Sequence, residues 1–398
     1  MVNNERLIQN YIDYFAAGCK ISRDMKYGLE AEHFIVAGAT WEAIPYSGEN
    51  GVASFLQEMS RHFAHEYWED GHLLGLYNDE AALSLEPGSQ LEISIEASND
   101  IAAMQKVYEK YRLLFDAALA ARGQEIREDG YQPISRVADI ELLPKKRYEF
   151  MDGHFRSTGT GGIEMMRGTA SCQVALDYAD ETDFIAKYRC AYLLTPLLAL
   201  LTDNSPRYEG RDYDRWLLRT DIWRRVDPAR SGIVPSVFDP DFSFRKYAEY
   251  VLGQKAIFAV VDGIAEKSGK RVTEILAERT EWDEDHLLYL SLVFPDVRLR
   301  QYIEIRVADA MEPPQTFAYL ALIKGLFTDI GGLREWAGKF PQSITAIEAA
   351  QDAIMANGWE ATAYGTPVSE LCQQMMALAA AQLDAGERAI LQNGFGGL

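Results

Sequence analysis

The chain has 398 residues, of which 48% are hydrophobic, 25% charged and 11% aromatic, a balance that excludes a disordered, collagenous or coiled-coil protein. Its formal net charge of -21 leaves no basic face with which to neutralise phosphates, so a nucleic-acid partner is excluded, and the acidity fits a solvated cytoplasmic surface that can also hold cations. Cys19, Cys172, Cys190 and Cys372 are scattered without a CxxC pair, against a disulfide scaffold or a structural zinc.

Taken in chain order, residues 4–17 place Leu7, Ile8, Tyr11, Ile12 and Phe15 at helical spacing with Gly18 as a stop. This N-terminus carries Glu5 and Asp13 among its apolar residues and is not expected to be a signal peptide. Met25 to Val36 reads as extended, residues 51–67 as a helix, and Tyr77 to Ile95 as two strands joined at Pro87-Gly88. A long helix follows from an Asn99 or Asp100 cap to about Arg122, with Gly123 past its end. Asp129 to Gly162 reads as loop, and its glycines make residues 150–165 the expected lid. Ala170 to Tyr178 is a strand and Asp180 to Leu201 a helix. Its apolar run, Ala191–Thr202, is shorter than the ~20 residues that span a bilayer and is expected in the core. Residues 202–245 read as irregular, Leu299 to Val307 as a strand, and Pro313 onward as helices ending in Val368–Asp384. Strands and helices without a regular βαβ beat predict an α+β fold, with helices on one face of an antiparallel sheet.

Four of these strands put polar groups on one side, because residues i and i+2 share a face. They are Glu30 with Glu32; Gln90 with Glu92 and Ser94; Gln173 with Asp177; and Glu304 with Arg306. Each strand alone could be a solvated sheet face. On one sheet, the clustered carboxylates would repel one another unless cations neutralised them. Hard oxygen ligands suit Mg²⁺ or Mn²⁺ with nucleotide phosphates completing the shell, and an arginine two residues from such a carboxylate suits a phosphoryl group in transfer. Cys172 alternates away to the apolar side. There is no Walker A motif, no GxSxG elbow and no HExxH, and Gly159-Thr160-Gly161-Gly162 lacks dinucleotide spacing.

These segments resemble the glutamate–cysteine ligases of the plant and proteobacterial type, of the carboxylate–amine ligase superfamily that shares the glutamine synthetase catalytic fold. The resemblance runs through Gly28-Leu29-Glu30-Ala31-Glu32-His33, Leu85 to Ser94, Leu143-Pro144-Lys145-Lys146-Arg147-Tyr148, Gln173 to Tyr178, Asn204-Ser205-Pro206, Arg219 to Gly232, and Phe294 to Arg306. It implies one ligase domain over residues 1–398, with a catalytic core at about 22–330 and a helical part at about 331–398. It also implies an antiparallel sheet with a metal-binding polar face. On it, Glu30, Glu32, Glu86, Glu92, Gln173 and Glu304 would line the Mg²⁺ or Mn²⁺ sites, and Arg306 would meet the transferred phosphate. Arg306, Glu92 and Glu304 are the expected catalytic groups, and Arg147, Arg219, Trp223 and Arg230 the substrate-binding ones. The implied reaction is ATP-dependent ligation of the glutamate γ-carboxylate to the cysteine amine through a γ-glutamyl phosphate. The implied partners are these small molecules, without nucleic acid or membrane, in a monomer or homodimer. Four departures from the family pattern stand near the substrate end: Ser89 for a second glycine, Gly168 for an arginine (with Arg167 beside it), Ala175 for an asparagine, and Arg224-Arg225 for a less basic pair. They motivate the alternative of a different acceptor amine. A non-catalytic nucleotide-binding regulator is the other alternative.

Overall fold

The computed structural model describes residues 2–21, 24–261, 264–279 and 281–396; the residue-22 boundary expected for the catalytic core and the last two residues of the expected domain lie outside the described residues. Alternating apolar residues build one nine-stranded sheet from β1 (Tyr27–Ala37), β2 (His65–Glu69), β3 (His72–Tyr77), β4 (Ala81–Leu85), β5 (Leu91–Ser98), β6 (Gln124–Arg127), β7 (Ser171–Leu176), β8 (Val297–Leu299) and β9 (Ile303–Asp309). The order is β8-β9-β7-β1-β5-β4-β3-β2, every pairing is antiparallel, and β6 pairs with the second half of β1. The strand expected from Leu299 to Val307 is therefore two, folded back on each other between Leu299 and Ile303. The helix expected over 51–67 stops at Met59, and residues 65–69 form the edge strand instead.

Besides the short helices Val272–Ile275 and Glu284–Leu290, the helices among the described residues are α1 (Val2–Ala16), α2 (Val52–Met59), α3 (Ile101–Ala120), α4 (Lys146–Thr158), α5 (Gly162–Gly168), α6 (Glu181–Leu201), α7 (Leu218–Arg224) and α8 (Phe244–Leu252). They continue with α9 (Pro313–Thr328), α10 (Ile330–Ala337), α11 (Ile344–Asn357), α12 (Val368–Gln382) and α13 (Ala385–Phe395), so the chain ends one helix later than expected. Asp100 caps α3 by accepting from the Ala103 amide at 2.9 Å. The apolar side of the sheet, with Leu29, Ala31, Ile93, Val174 and Ile305, packs on α3, α6 and α9. Burial of that surface, at roughly 25 cal/mol per Å², is the main favourable term that holds sheet to helices. α6 is long and apolar enough to cross a membrane, but 83% of its apolar window is buried in this core, which runs from Leu7 to Phe395.

Helices also stand over the polar side, against the expectation of helices on one face only. Residues 146–158 and 162–168 are α4 and α5, not a loop. The lid expected at 150–165 is thereby corrected. The Thr160 and Gly161 amides donate to the Arg225 carbonyl at 3.0 and 3.1 Å, and a Cβ on Gly159 would lie 2.0 Å from that same oxygen. These glycines serve close backbone approach rather than mobility.

A candidate active site on the polar face of the sheet

The register brings the predicted acidic residues together on four adjacent strands. On β1, Glu30 lies opposite Gln173 of β7 and Ser94 of β5, and Glu32 opposite Glu92 of β5; on β9, Glu304 lies opposite Ala175 of β7. A cavity of about 280 Å³ opens over them. Glu30, Glu32, Glu86, Glu92 and Gln173 line its floor, and Arg147, Arg219, Trp223 and Arg306 its walls. Glu86 reaches it from the turn between β4 and β5. Gln90 holds that turn by accepting from the Gly88 amide at 2.8 Å and donating to the Thr169 carbonyl at 2.8 Å.

The floor holds an excess of negative charge. Burial, then Glu304, pushes Glu30 up to about 7. Burial and then Glu86 push Glu32 up to about 7, although Glu32 accepts from the Ser171 amide and hydroxyl at 2.7 and 2.8 Å. Burial and Glu30 raise Glu92 well above the carboxylate range. Glu304 behaves oppositely. Burial would raise it too, but Arg298 at 2.8 Å and Arg306 at 2.7 Å hold it well below that range. Arg306 also donates to Gln173, and Arg219 donates to the Arg306 carbonyl at 2.8 Å. Glu304 itself lies beneath Arg306 and borders a neighbouring cavity of about 160 Å³ rather than the main one.

The walls show what would fill the cavity. Among the described residues, the buried side-chain atoms without a partner there are Arg147 Nε, Arg219 Nε, Trp223 Nε1, Arg298 Nε and Arg300 Nε. All five are N–H donors, so the cavity is built for acceptor-rich, anionic groups. Lys145, Arg298 and Arg300 were not singled out as site residues from the sequence. The alternation Arg298-Leu299-Arg300 next to Glu304 was the available signal.

Arg230 does not line the cavity, which corrects its expected role in substrate binding. It is buried, ion-paired with Asp227 at 2.7 Å, and donates to the carbonyls of Lys255 and Leu292 at 2.8 and 3.2 Å. His154 meets the same carboxylate at 2.8 Å. Arg167 is likewise a brace, donating to Asp152 at 2.7 Å and to the Ile140 carbonyl at 2.9 Å. At Gly168 a Cβ would come within 2.6 Å of the Tyr131 ring and 2.7 Å of Val137, so Tyr131 occupies the space a side chain there would need. Ser89 sits at φ 65°, in the left-handed region glycine prefers.

The oxygen-rich donor set of the floor fits a hard divalent cation. Among the described residues no three His, Cys, Asp or Glu side chains form a ready-made cage. That is compatible with Mg²⁺, which is commonly held by one or two carboxylates with phosphates and water completing the shell.

A family model described as glutamate-cysteine ligase family 2 matches residues 26–396. The chloroplastic glutamate–cysteine ligase of Brassica juncea is 30% identical over 334 residues, covering 81% of this chain and 64% of that protein. The chloroplastic enzyme of Arabidopsis thaliana is 30% identical over 339 residues, covering 82% and 64%. The match thus spans somewhat under two thirds of these relatives' length. Among solved structures, the glutamate–cysteine ligase of Francisella tularensis in complex with AMP aligns with a TM-score of 0.50 at 11% identity, covering 94% of this chain and 81% of that one. A bifunctional glutathione synthetase of Pasteurella multocida aligns with a TM-score of 0.50 at 11% identity, covering 99% and 49%. At that identity both bear on the fold alone.

Proposed function

The chain belongs to glutamate–cysteine ligase family 2, and from that premise we propose that it joins the γ-carboxylate of glutamate to the amine of cysteine at the expense of ATP. The observation that carries this reading is the division of the site into an acidic floor and walls whose orphaned groups are all donors. A γ-carboxylate, an α-carboxylate and a phosphate chain are the acceptor-rich groups such walls would receive.

ATP supplies the driving force, because amide formation from a carboxylate in water is uphill. The γ-carboxylate of glutamate takes the γ-phosphoryl group and ADP leaves; the neutral amine of cysteine then attacks the acyl carbon and phosphate leaves. Glu30, Glu32, Glu86, Glu92 and Gln173 would hold the Mg²⁺ or Mn²⁺, which supplies charge neutralisation to the phosphates when bound. Arg306, locked by Glu304 and Gln173, presents a fixed guanidinium to the phosphoryl group, and this preorganisation costs no reorientation at the moment of transfer. Arg147, Arg219 and Trp223 would hold the amino-acid substrates. Beside Glu30 the smaller cavity carries Gly28, Ala97 and Ala175; a Cβ on Gly28 would lie 3.3 Å from Ala175 and 3.9 Å from Ala97. These small residues, with Tyr302 at the edge, give a flat apolar seat suited to a nucleotide base.

Phosphate release from ATP and Mg²⁺ with glutamate, with and without cysteine, tests the proposal on wild type and Glu92→Gln. Cysteine-dependent release that falls at least a hundredfold in the variant is expected. Release with another amine in preference to cysteine would overturn the acceptor. Absence of release with any amino acid would overturn the ligase reading.

A further inference from the structure

The two cavities of the active site adjoin, since Glu30 and Gln173 line both. The smaller one carries the apolar seat beside Tyr302, and the larger one holds Arg306. Tyr302 stands just before β9 and Arg306 within it. Four residues of extended chain, at about 3.4 Å each, set them roughly 14 Å apart. A nucleotide lying along β9, with its base on the seat and its terminal phosphate toward Arg306, carries its inner phosphates over the stretch between.

The β8–β9 hairpin brings three arginines to that stretch, and two of them are engaged. Arg298 meets both carboxylate oxygens of Glu304, at 3.1 and 2.8 Å. Arg306 meets Glu304 at 2.7 Å and also donates to Gln173. Arg300, on the turn, lines the larger cavity. Its backbone is pinned on both sides. The amide donates to the Tyr302 carbonyl at 2.8 Å, and the carbonyl accepts from the Tyr178 hydroxyl at 2.9 Å. Its guanidinium has no hydrogen-bond or ion-pair partner among the described residues, and Nε is buried. It acts on Glu30 and Glu304 only through space. A buried donor without an acceptor costs free energy that an anionic ligand recovers. The planar fork of an arginine matches two phosphate oxygens, and here the backbone that carries it needs no rearrangement.

We propose that Arg300 receives the inner phosphates of the nucleotide and so fixes its direction along β9, base at Tyr302 and terminal phosphate at Arg306. The assignment rests on the ligase reading for the presence of a nucleotide, and it is tested by binding, which needs no turnover. Calorimetric titration of the whole chain with ADP and Mg²⁺ should show one site. Arg300→Gln should weaken it at least tenfold, and Arg300→Lys, which keeps the charge without the fork, by less. Lys20→Gln removes an exposed charge beyond the end of α1 and should change the affinity less than twofold. In steady-state assays Arg300→Gln should raise the KM for ATP at least tenfold and leave that for glutamate within twofold. ADP affinity unchanged in Arg300→Gln overturns the assignment, as does an equal loss in Lys20→Gln, which would show only diffuse attraction. A rise confined to the KM for glutamate overturns it too, by placing a substrate carboxylate on Arg300. Tenfold weaker ADP binding in a chain that releases no phosphate with any amino acid would uphold Arg300 and overturn the ligase reading. A wild type that binds no ADP overturns both.

Discussion

Replacing Glu30 with glutamine isolates the energetic cost of assembling the acidic floor. Glu30 makes no hydrogen bond among those of the floor described above, so the amide keeps the shape and removes only the charge. The carboxyl is pushed from an ordinary 4.5 to about 7 by burial and Glu304. At about 1.4 kcal/mol for each unit of pKa, that gap corresponds to about 3 kcal/mol, reduced to roughly 2 where cavity water screens the group. Below pH 4.5 the group is neutral in both folded and unfolded chains and costs nothing. Between 4.5 and about 7 the folded chain binds the extra proton, so stability falls as pH rises, and above 7 the full cost is present. Urea unfolding followed by tryptophan fluorescence in EDTA should therefore find Glu30→Gln more stable than wild type by roughly 2–3 kcal/mol at pH 8, the difference shrinking to nothing near pH 4.5. The variant should at the same time lose ligase turnover. A variant no more stable at pH 8, or one offset equally at both pH values, would refute the reasoning.

Arg298→Met should cost about 3–5 kcal/mol in urea unfolding, because Glu304, 2% exposed, would keep Arg306 as its one ion-pair partner among the described residues, with Arg300 acting from farther off; a loss under 1 kcal/mol would show that Arg306 and Arg300 suffice. Arg230→Met should cost a comparable amount of stability and leave the KM values for the proposed substrates, glutamate and cysteine, unchanged. A tenfold rise in KM without lost stability would return Arg230 to the substrate site. Ser89→Gly should stabilise the chain by about 1 kcal/mol, since it relieves a left-handed residue whose hydroxyl is also buried without a partner; a loss of stability would show that the serine makes a compensating contact.

The acidic floor was legible because alternation in a strand assigns faces without knowledge of the partner strand. Glu30, Glu32, Glu92, Gln173 and Glu304 needed only a common sheet, and the register supplies it. Arg147, Arg219 and Trp223, named from the resemblance alone, line the cavity over that floor. Arg230 and Arg167 could not be sorted in the same way. A buried arginine that braces a loop and one that awaits a substrate look alike until the carboxylates Asp227 and Asp152 are seen beside them. The helices α4 and α5 were missed because Gly159, Gly161 and Gly162 read as flexible, whereas they permit contact with the Arg225 carbonyl and with Phe155. The turn from Leu299 to Ile303 carries no Gly, Pro, Asn or Asp, so nothing local announced that β8 and β9 are separate strands.

That turn leads to a practical consequence. A Cβ on Gly18, just past α1, would lie 2.5 Å from the Gln301 carbonyl oxygen, and Gln301 Nε2 donates to the Tyr14 carbonyl at 3.2 Å. The Tyr178 hydroxyl stands 2.7 Å from the Phe15 carbonyl and 2.9 Å from that of Arg300. The segment that presents Arg298, Arg300 and Glu304 is thus propped from behind by residues 14–18, which precede the family-matched span beginning at residue 26. An expression boundary drawn at the family's edge would keep every residue of the site and discard its buttress. For work with this protein, the helix Val2–Ala16 and the turn after it belong with the hairpin that carries Arg298, Arg300 and Glu304.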